Sequence, residues 1–138
     1  VPRNVKLQGV MDGRLVRAMD DGEDFGFIPV MLRVNTAAGA DNTVALTMER
    51  AFTVTDCQAQ NIGGAGASSD TLQLKNGSSA ITNTLDMSGA DNVIVRAGTI
   101  DDAQMEIAAG GTLNVVALDN TGDNQPAKIV YITGYYHK

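Results

Sequence analysis

The chain has 138 residues, 43% of them apolar, and a formal net charge of −6. That length allows one hydrophobic core and leaves no room for a second, and that apolar content excludes a disordered chain. A lone cysteine, Cys57, excludes an intramolecular disulfide, and no apolar run approaches the roughly 18 residues of a membrane-spanning helix.

Residues 1–25 differ in kind from the rest. They hold no sustained hydrophobic period, and their apolar side chains, Val5, Leu7, Val10, Leu15 and Val16 among them, are isolated. No apolar stretch of signal-peptide type occurs there, so a secretory leader is not expected. Residues 1–17 carry Arg3, Lys6, Arg14 and Arg17 against Asp12, a net of +3, whereas the other 121 residues carry six basic and fifteen acidic side chains, a net of −9. An acidic body repels phosphate backbones, so nucleic acid is not an expected partner. A cationic leader on such a body suits contact with an acidic surface, or serves simply as a solvated segment.

Strand patterns begin after residue 25. Over residues 27–34 Ile28, Val30, Leu32 and Val34 fall on one face, and Phe27, Pro29, Met31 and Arg33 on the other. Pro29 donates no backbone hydrogen bond, which places this strand at a sheet edge or on a bulge. Val44, Leu46 and Met48 alternate with Thr43, Ala45, Thr47 and Glu49, the period of a half-buried strand. Phe52 and Val54 alternate with Thr53 and Thr55, and Leu72 and Leu74 flank Gln73. Residues 93–95 and 113–118 are short apolar runs with β-branched content. Residues 80–87 suit either a helical turn or a strand. Residues 100–109 suit a short helix opened by Asp101 and Asp102, or a strand with Ala103, Met105 and Ile107 inward. The last strand, residues 128–136, is apolar on both sides, with Ile129, Tyr131 and Tyr135 opposite Val130, Ile132 and Tyr136. Such a strand is central, or meets another subunit on its outer face.

Turn clusters separate these runs at residues 20–22, 38–42, 63–66, 76–77, 88–89, 110–111 and 119–124, built from Gly, Asn, Asp and Ser. Regular breaks with no long helical pattern predict an all-β sandwich or barrel. The tetrapeptide Gly-Ala-Asp-Asn occurs twice, at 39–42 and 89–92, each time ahead of a strand, which reads as one good turn used again, with duplication the second choice. Residues 61–70 (NIGGAGASSD) are the one low-complexity stretch, expected as an exposed, flexible loop.

Catalytic signals are nearly absent. The one histidine, His137, stands next to the last residue, where chain ends fray, and Cys57 sits within a strand pattern as a small buried hydrophobe would. No phosphate-binding glycine loop, paired CxxC or HExxH occurs, and one His plus one Cys fall short of a zinc site. The acidic stretches at 20–24 and 119–124 are rich in oxygen donors for calcium, but neither follows the EF-hand pattern, and both read as solvated turns capped by their own Asp side chains. The expectation is a binding or structural module without enzyme activity, cofactor or metal.

Against that background, residues 70–77 (DTLQLKNG), 80–86 (AITNTLD), 95–97 (VRA), 99–103 (TIDDA) and 107–115 (IAAGGTLNV) stand out. Together they resemble the capsid decoration, or cementing, proteins of tailed bacteriophages, over roughly residues 52–135. The resemblance implies a jelly-roll-like β-sandwich at residues 26–138 preceded by an extended N-terminal arm at residues 1–25. It also implies homotrimers on the outer surface of the virion that bridge copies of the major capsid protein at three-fold and quasi-three-fold positions. On that reading Pro2, Arg3, Val5, Lys6, Leu7, Arg14 and Arg17 would bind the capsid, and Tyr131, Tyr135 and Tyr136 would line the subunit interface. The first 25 residues carry no motif of that family. A second function class is a carbohydrate- or cell-surface-binding β-sandwich of fibre or lectin type, with residues 61–70 and the acidic turns as its site.

Overall fold

The computed structural model describes residues 26–138. The arm assigned to residues 1–25, the seven capsid-binding residues placed on it and the acidic stretch at 20–24 lie outside the described residues.

Ten strands make up the described chain: β1 (Phe27–Thr36), β2 (Asn42–Thr47), β3 (Phe52–Ile62), β4 (Asp70–Asn76), β5 (Ser79–Ala80), β6 (Leu85–Asp86), β7 (Ile94–Arg96), β8 (Glu106–Ile107), β9 (Thr112–Asp119) and β10 (Ala127–His137). They form two antiparallel sheets. One runs β1-β10-β3-β7, with β8 also on β3; the other runs β2-β9-β4-β5, with β6 also on β4. This is the order of a jelly roll. The pairs β1·β10, β2·β9, β3·β7 and β4·β5 are the successive rungs of one long hairpin, and rolling that hairpin brings β10 against β3 and β9 against β4.

The alternation predicted for β1 and β2 is present, and β1 is an edge strand, one of the two placements that Pro29 allows. Core side chains come from both sheets: Val34, Val54, Ala59, Val130 and Ile132 from one, Leu72, Leu74, Leu113, Val115 and Ala117 from the other. Phe52, wholly buried, stacks at 5.0 Å on Tyr136 at one end.

Strand β3 departs from simple alternation. Thr133 of β10 pairs with Asp56, but the next residue, Gly134, pairs with Val54, so Thr55 is an extra residue in a bulge. The bulge changes the phase of β3. Phe52 and Val54 point inward on one side of it, and Cys57, Ala59 and Asn61 point inward on the other. Gly134 sits where any Cβ would strike Thr53 O and come within 2.7 Å of the Phe52 ring.

Three local expectations are settled or revised. Residues 80–87 take the strand alternative in part, with Ala80 ending β5 and Leu85–Asp86 forming β6, both on β4, and no helical turn. Residues 101–105 make a single turn, in which Met105 N donates to Asp101 O and Ala103 N to Asp101 Oδ1. Ala103 is exposed rather than inward, while Ile107 of β8 is buried. Residues 61–70 are not an open loop. Gly66 N donates to Gly89 O, Gly63 N to Asp91 Oδ1 and Ala67 N to Asp70 Oδ2, and both ends, Asn61 and Asp70, are buried.

The repeated tetrapeptide serves one purpose in two places. Asp41 Oδ1 accepts from Asp119 N, and Asp91 Oδ1 accepts from Gly63 N, so each Asp ties its turn to a distant loop. The backbones differ, since Asn92 is left-handed at φ 64° and Asn42 begins a strand.

Candidate interaction face

The outer face of the β1-β10-β3-β7 sheet is a grid fixed by strand register. One row runs Pro29, Tyr135, Thr53 and Glu106; the next along the strands runs Met31, Thr133 and Asp56. Beyond them come Arg33, Tyr131, Gln58 and Arg96, then Asn35, Ile129, Gln60 and Ile94. The last strand is therefore central, one of the two placements its apolar sides allow, and its outer side chains occupy the middle of the grid.

Large apolar side chains stay open to solvent on this face. Met31 is 62% exposed, Ile94 59% and Phe27 38%. Val93, at the turn into β7, is 50% exposed. The Phe27 ring lies 5.1 Å from Tyr135, which lies 5.3 Å from His137, so the aromatic groups brace one another along the β1–β10 seam. Phe27, Met31, Tyr131 and Tyr135 are near neighbours along the β1–β10 seam and mark a candidate contact surface, whereas Ile94 stands at the opposite β7 edge beyond Asp56, Gln58 and Gln60 of β3.

The charges on this face balance: Arg33 and Arg96 against Asp56 and Glu106. Arg96 grips Asp56 with two hydrogen bonds, Nη2 to Oδ2 at 2.7 Å and Nε to Oδ1 at 3.2 Å. That fork holds the Asp56 carboxyl below the ordinary carboxylate range, with Cys57 N also donating to Oδ1. The face is neutral on a described domain that carries six basic and eleven acidic residues.

The interface tyrosines expected from sequence divide. Tyr131 and Tyr135 lie on the outer grid, whereas Tyr136 turns to the other side of β10 and packs on Phe52. Tyr136 also borders a groove of about 450 Å³ with Ile28, Thr47, Glu49 and Arg50. The sequence separates the two sides of β1 but does not say which faces outward or join it to β10. The signal was present: Phe27, Met31 and Arg33 share the parity of Pro29, and pairing with the outward tyrosines completes the patch.

The groups considered for chemistry have structural surroundings. Burial pushes the Cys57 thiol up to about 12, with Asp56 adding to the shift, so it is not a nucleophile near neutral pH. His137 is the final residue of β10. Its backbone N donates to Ala51 O, and Nε2 lies 2.8 Å from Thr53 Oγ1, so it is not frayed. In the 119–124 turn, burial works to raise the Asp119 pKa but is outweighed by donations from Asn124 N, Gly122 N and the Thr121 hydroxyl, which lower it. This carboxylate caps its own turn. Among the described residues no group of three or more His, Cys, Asp or Glu side chains is placed to hold a metal ion.

Comparison with protein-family models, with curated proteins and with solved structures finds no match.

Proposed function

We propose that this chain is a structural decoration module of a phage head. Three copies associate through the outer face of the β1-β10-β3-β7 sheet, and the assembly binds the outside of the shell at junctions between major capsid subunits. The observation that carries the reading is that face: rigid, neutral, rich in apolar and aromatic groups, and set on an acidic domain. Like-charge repulsion between copies is weakest where charge is balanced, so a neutral face favours self-association. Tyr131 and Tyr135 offer broad apolar bodies with polar tips at low entropic cost.

The mechanism follows from linkage. A module that holds several shell subunits makes their dissociation require several simultaneous breaks. Binding the assembled shell and not its free subunits stabilises assembly by mass action. The basic residues Arg3, Lys6, Arg14 and Arg17 steer toward capsid carboxylates, while Pro2, Val5 and Leu7 supply apolar contact or strand addition. Exposed ion pairs contribute only about 0–1 kcal/mol each, so apolar contact provides most of the affinity.

The test is co-sedimentation with assembled shells and with free capsid subunits, alongside light scattering of the isolated protein. Trimers that pellet with shells alone are expected. Deletion of residues 1–17 removes shell binding, and Met31→Asp with Tyr131→Asp yields monomers. Unchanged shell affinity in the deletion variant refutes the arm's role, and a wild-type monomer at micromolar concentration refutes the trimer.

A further inference from the structure

The end of the sandwich away from Phe52 is polar inside. Thr36, Lys128 and Asn61 are direct partners across β1, β10 and β3, all pointing inward and all nearly inaccessible to solvent. Asp70, wholly buried, comes from β4 in the facing sheet. Met87 joins the two sides, since its O accepts from Asn61 Nδ2 and its N donates to Asp70 O.

Hydrogen-bond accounting at this end does not close. Asp70 Oδ2 accepts from Ala67 N, but Oδ1 has no protein donor; Asn61 Oδ1 and Thr36 Oγ1 are equally without partners. These three oxygens are the complete set of buried side-chain N and O atoms without partners among the described residues. Lys128 Nζ donates to Gln125 Oε1 at 2.7 Å and to Pro126 O at 3.0 Å, leaving one of its three N–H bonds over. An unpaired buried polar group costs about 1–3 kcal/mol, so two acceptor oxygens, one hydroxyl and one spare N–H left over in one corner point to a shared partner.

We propose that Thr36 Oγ1, Asn61 Oδ1, Asp70 Oδ1 and Lys128 Nζ enclose an internal hydration site, where an ordered water accepts from the ammonium and the Thr36 hydroxyl and donates to Asn61 Oδ1 and Asp70 Oδ1. Buried waters take about three such bonds. The same donors argue against two rivals. Hard oxygens with one carboxylate suit a cation, but the Lys128 ammonium already places positive charge here, and a second would be repelled in a low-dielectric interior. A direct Lys128–Asp70 ion pair is not formed, because Nζ is turned toward Gln125 and Pro126. Water relays the attraction between the two charges and links the sheets through side chains.

The test is a high-resolution crystal structure of the full chain together with thermal melting of Thr36→Val. The expected result is a sealed density peak within hydrogen-bond distance, about 2.7–3.2 Å, of Asp70 Oδ1, Lys128 Nζ and at least one of the other two oxygens. Thr36→Val, which keeps shape and removes one partner of the water, then lowers Tm. An empty corner, a peak with the short oxygen distances of a metal ion or a direct Lys128–Asp70 contact overturns the proposal. So does a rise in Tm for Thr36→Val, the result for a hydroxyl that has no partner to lose.

Discussion

Replacing Gly66 with alanine tests how tightly the glycine-rich segment is held. A Cβ at Gly66 would fall on the Met87 carbonyl and come within 3.1 Å of Asn61 Nδ2. These atoms already bond to each other: Asn61 Nδ2 donates to Met87 O at 2.9 Å and to Gly89 O at 3.1 Å, and Gly66 N donates to Gly89 O at 2.9 Å. The obstacle is backbone, so a side-chain rotation cannot relieve it. Separating the two segments sacrifices two or three hydrogen bonds at about 1 kcal/mol each and strands part of the buried Asn61 amide at about 1–2 more, giving a loss of about 3–5 kcal/mol. For a domain of this size that corresponds to a fall in Tm of about 10–20 °C. Gly64→Ala is the internal control, because nothing lies within 4 Å of its Cβ direction, and it is expected to stay within about 0.5 kcal/mol of wild type. Urea titration followed by circular dichroism measures both. If Gly66→Ala unfolds at the same midpoint as Gly64→Ala, residues 61–70 are as loose as their composition suggests and the packing argument is wrong.

Other outcomes follow from the same structure. Phe52→Ala removes a wholly buried ring from beneath Tyr136 and is expected to destabilise by about 3–5 kcal/mol in denaturant titration. Cys57 resists alkylation in the folded protein at pH 8 and reacts once urea unfolds it; equal rates in both states would contradict its burial. The raised thiol pKa also sets a sign: above about pH 9 the unfolded chain loses this proton while the folded chain keeps it to about 12, so the thiol's contribution to stability falls as pH rises through that window. Lys128, with its pKa lowered chiefly by burial, works in the opposite sense below its ordinary 10.5, so the comparison is wild type against Cys57→Ala, whose profile lacks the fall. Arg96→Gln raises the pKa of Asp56, read by carboxyl-carbon NMR, because the fork that depresses it is gone. Stability from this pair is present above the ordinary Asp value of 3.8 and is lost as pH drops through the depressed folded value.

Much of the sandwich is legible residue by residue. A period of two is a local property, so the inward sets of β1, β2 and β4 can be read without knowing their partners. Pro29, lacking a donor, narrows β1 to an edge or a bulge, and the two-sided last run narrows β10 to a central strand or one that meets another subunit. Half of the candidate face was equally readable, since Met31 and Arg33 share the parity of Pro29. Its joining to Tyr131 and Tyr135 was not, because strand pairing over a separation of about a hundred residues leaves no local trace.

Composition and alternation alone determined that this chain is an acidic all-β domain with few catalytic groups, and which side chains of each regular strand face inward. Tertiary structure decided the remainder. The Thr55 bulge reverses the phase of β3 and so buries Cys57 together with Phe52, which strict alternation would place on opposite faces. The same pairing carries Lys128 to the buried side, between Thr36 and Asn61, although lysine ordinarily marks a surface. Both outcomes depend on contacts between segments remote in sequence. Propensity is fixed by a residue and its neighbours, whereas the closing of a core is fixed by whatever the fold brings opposite.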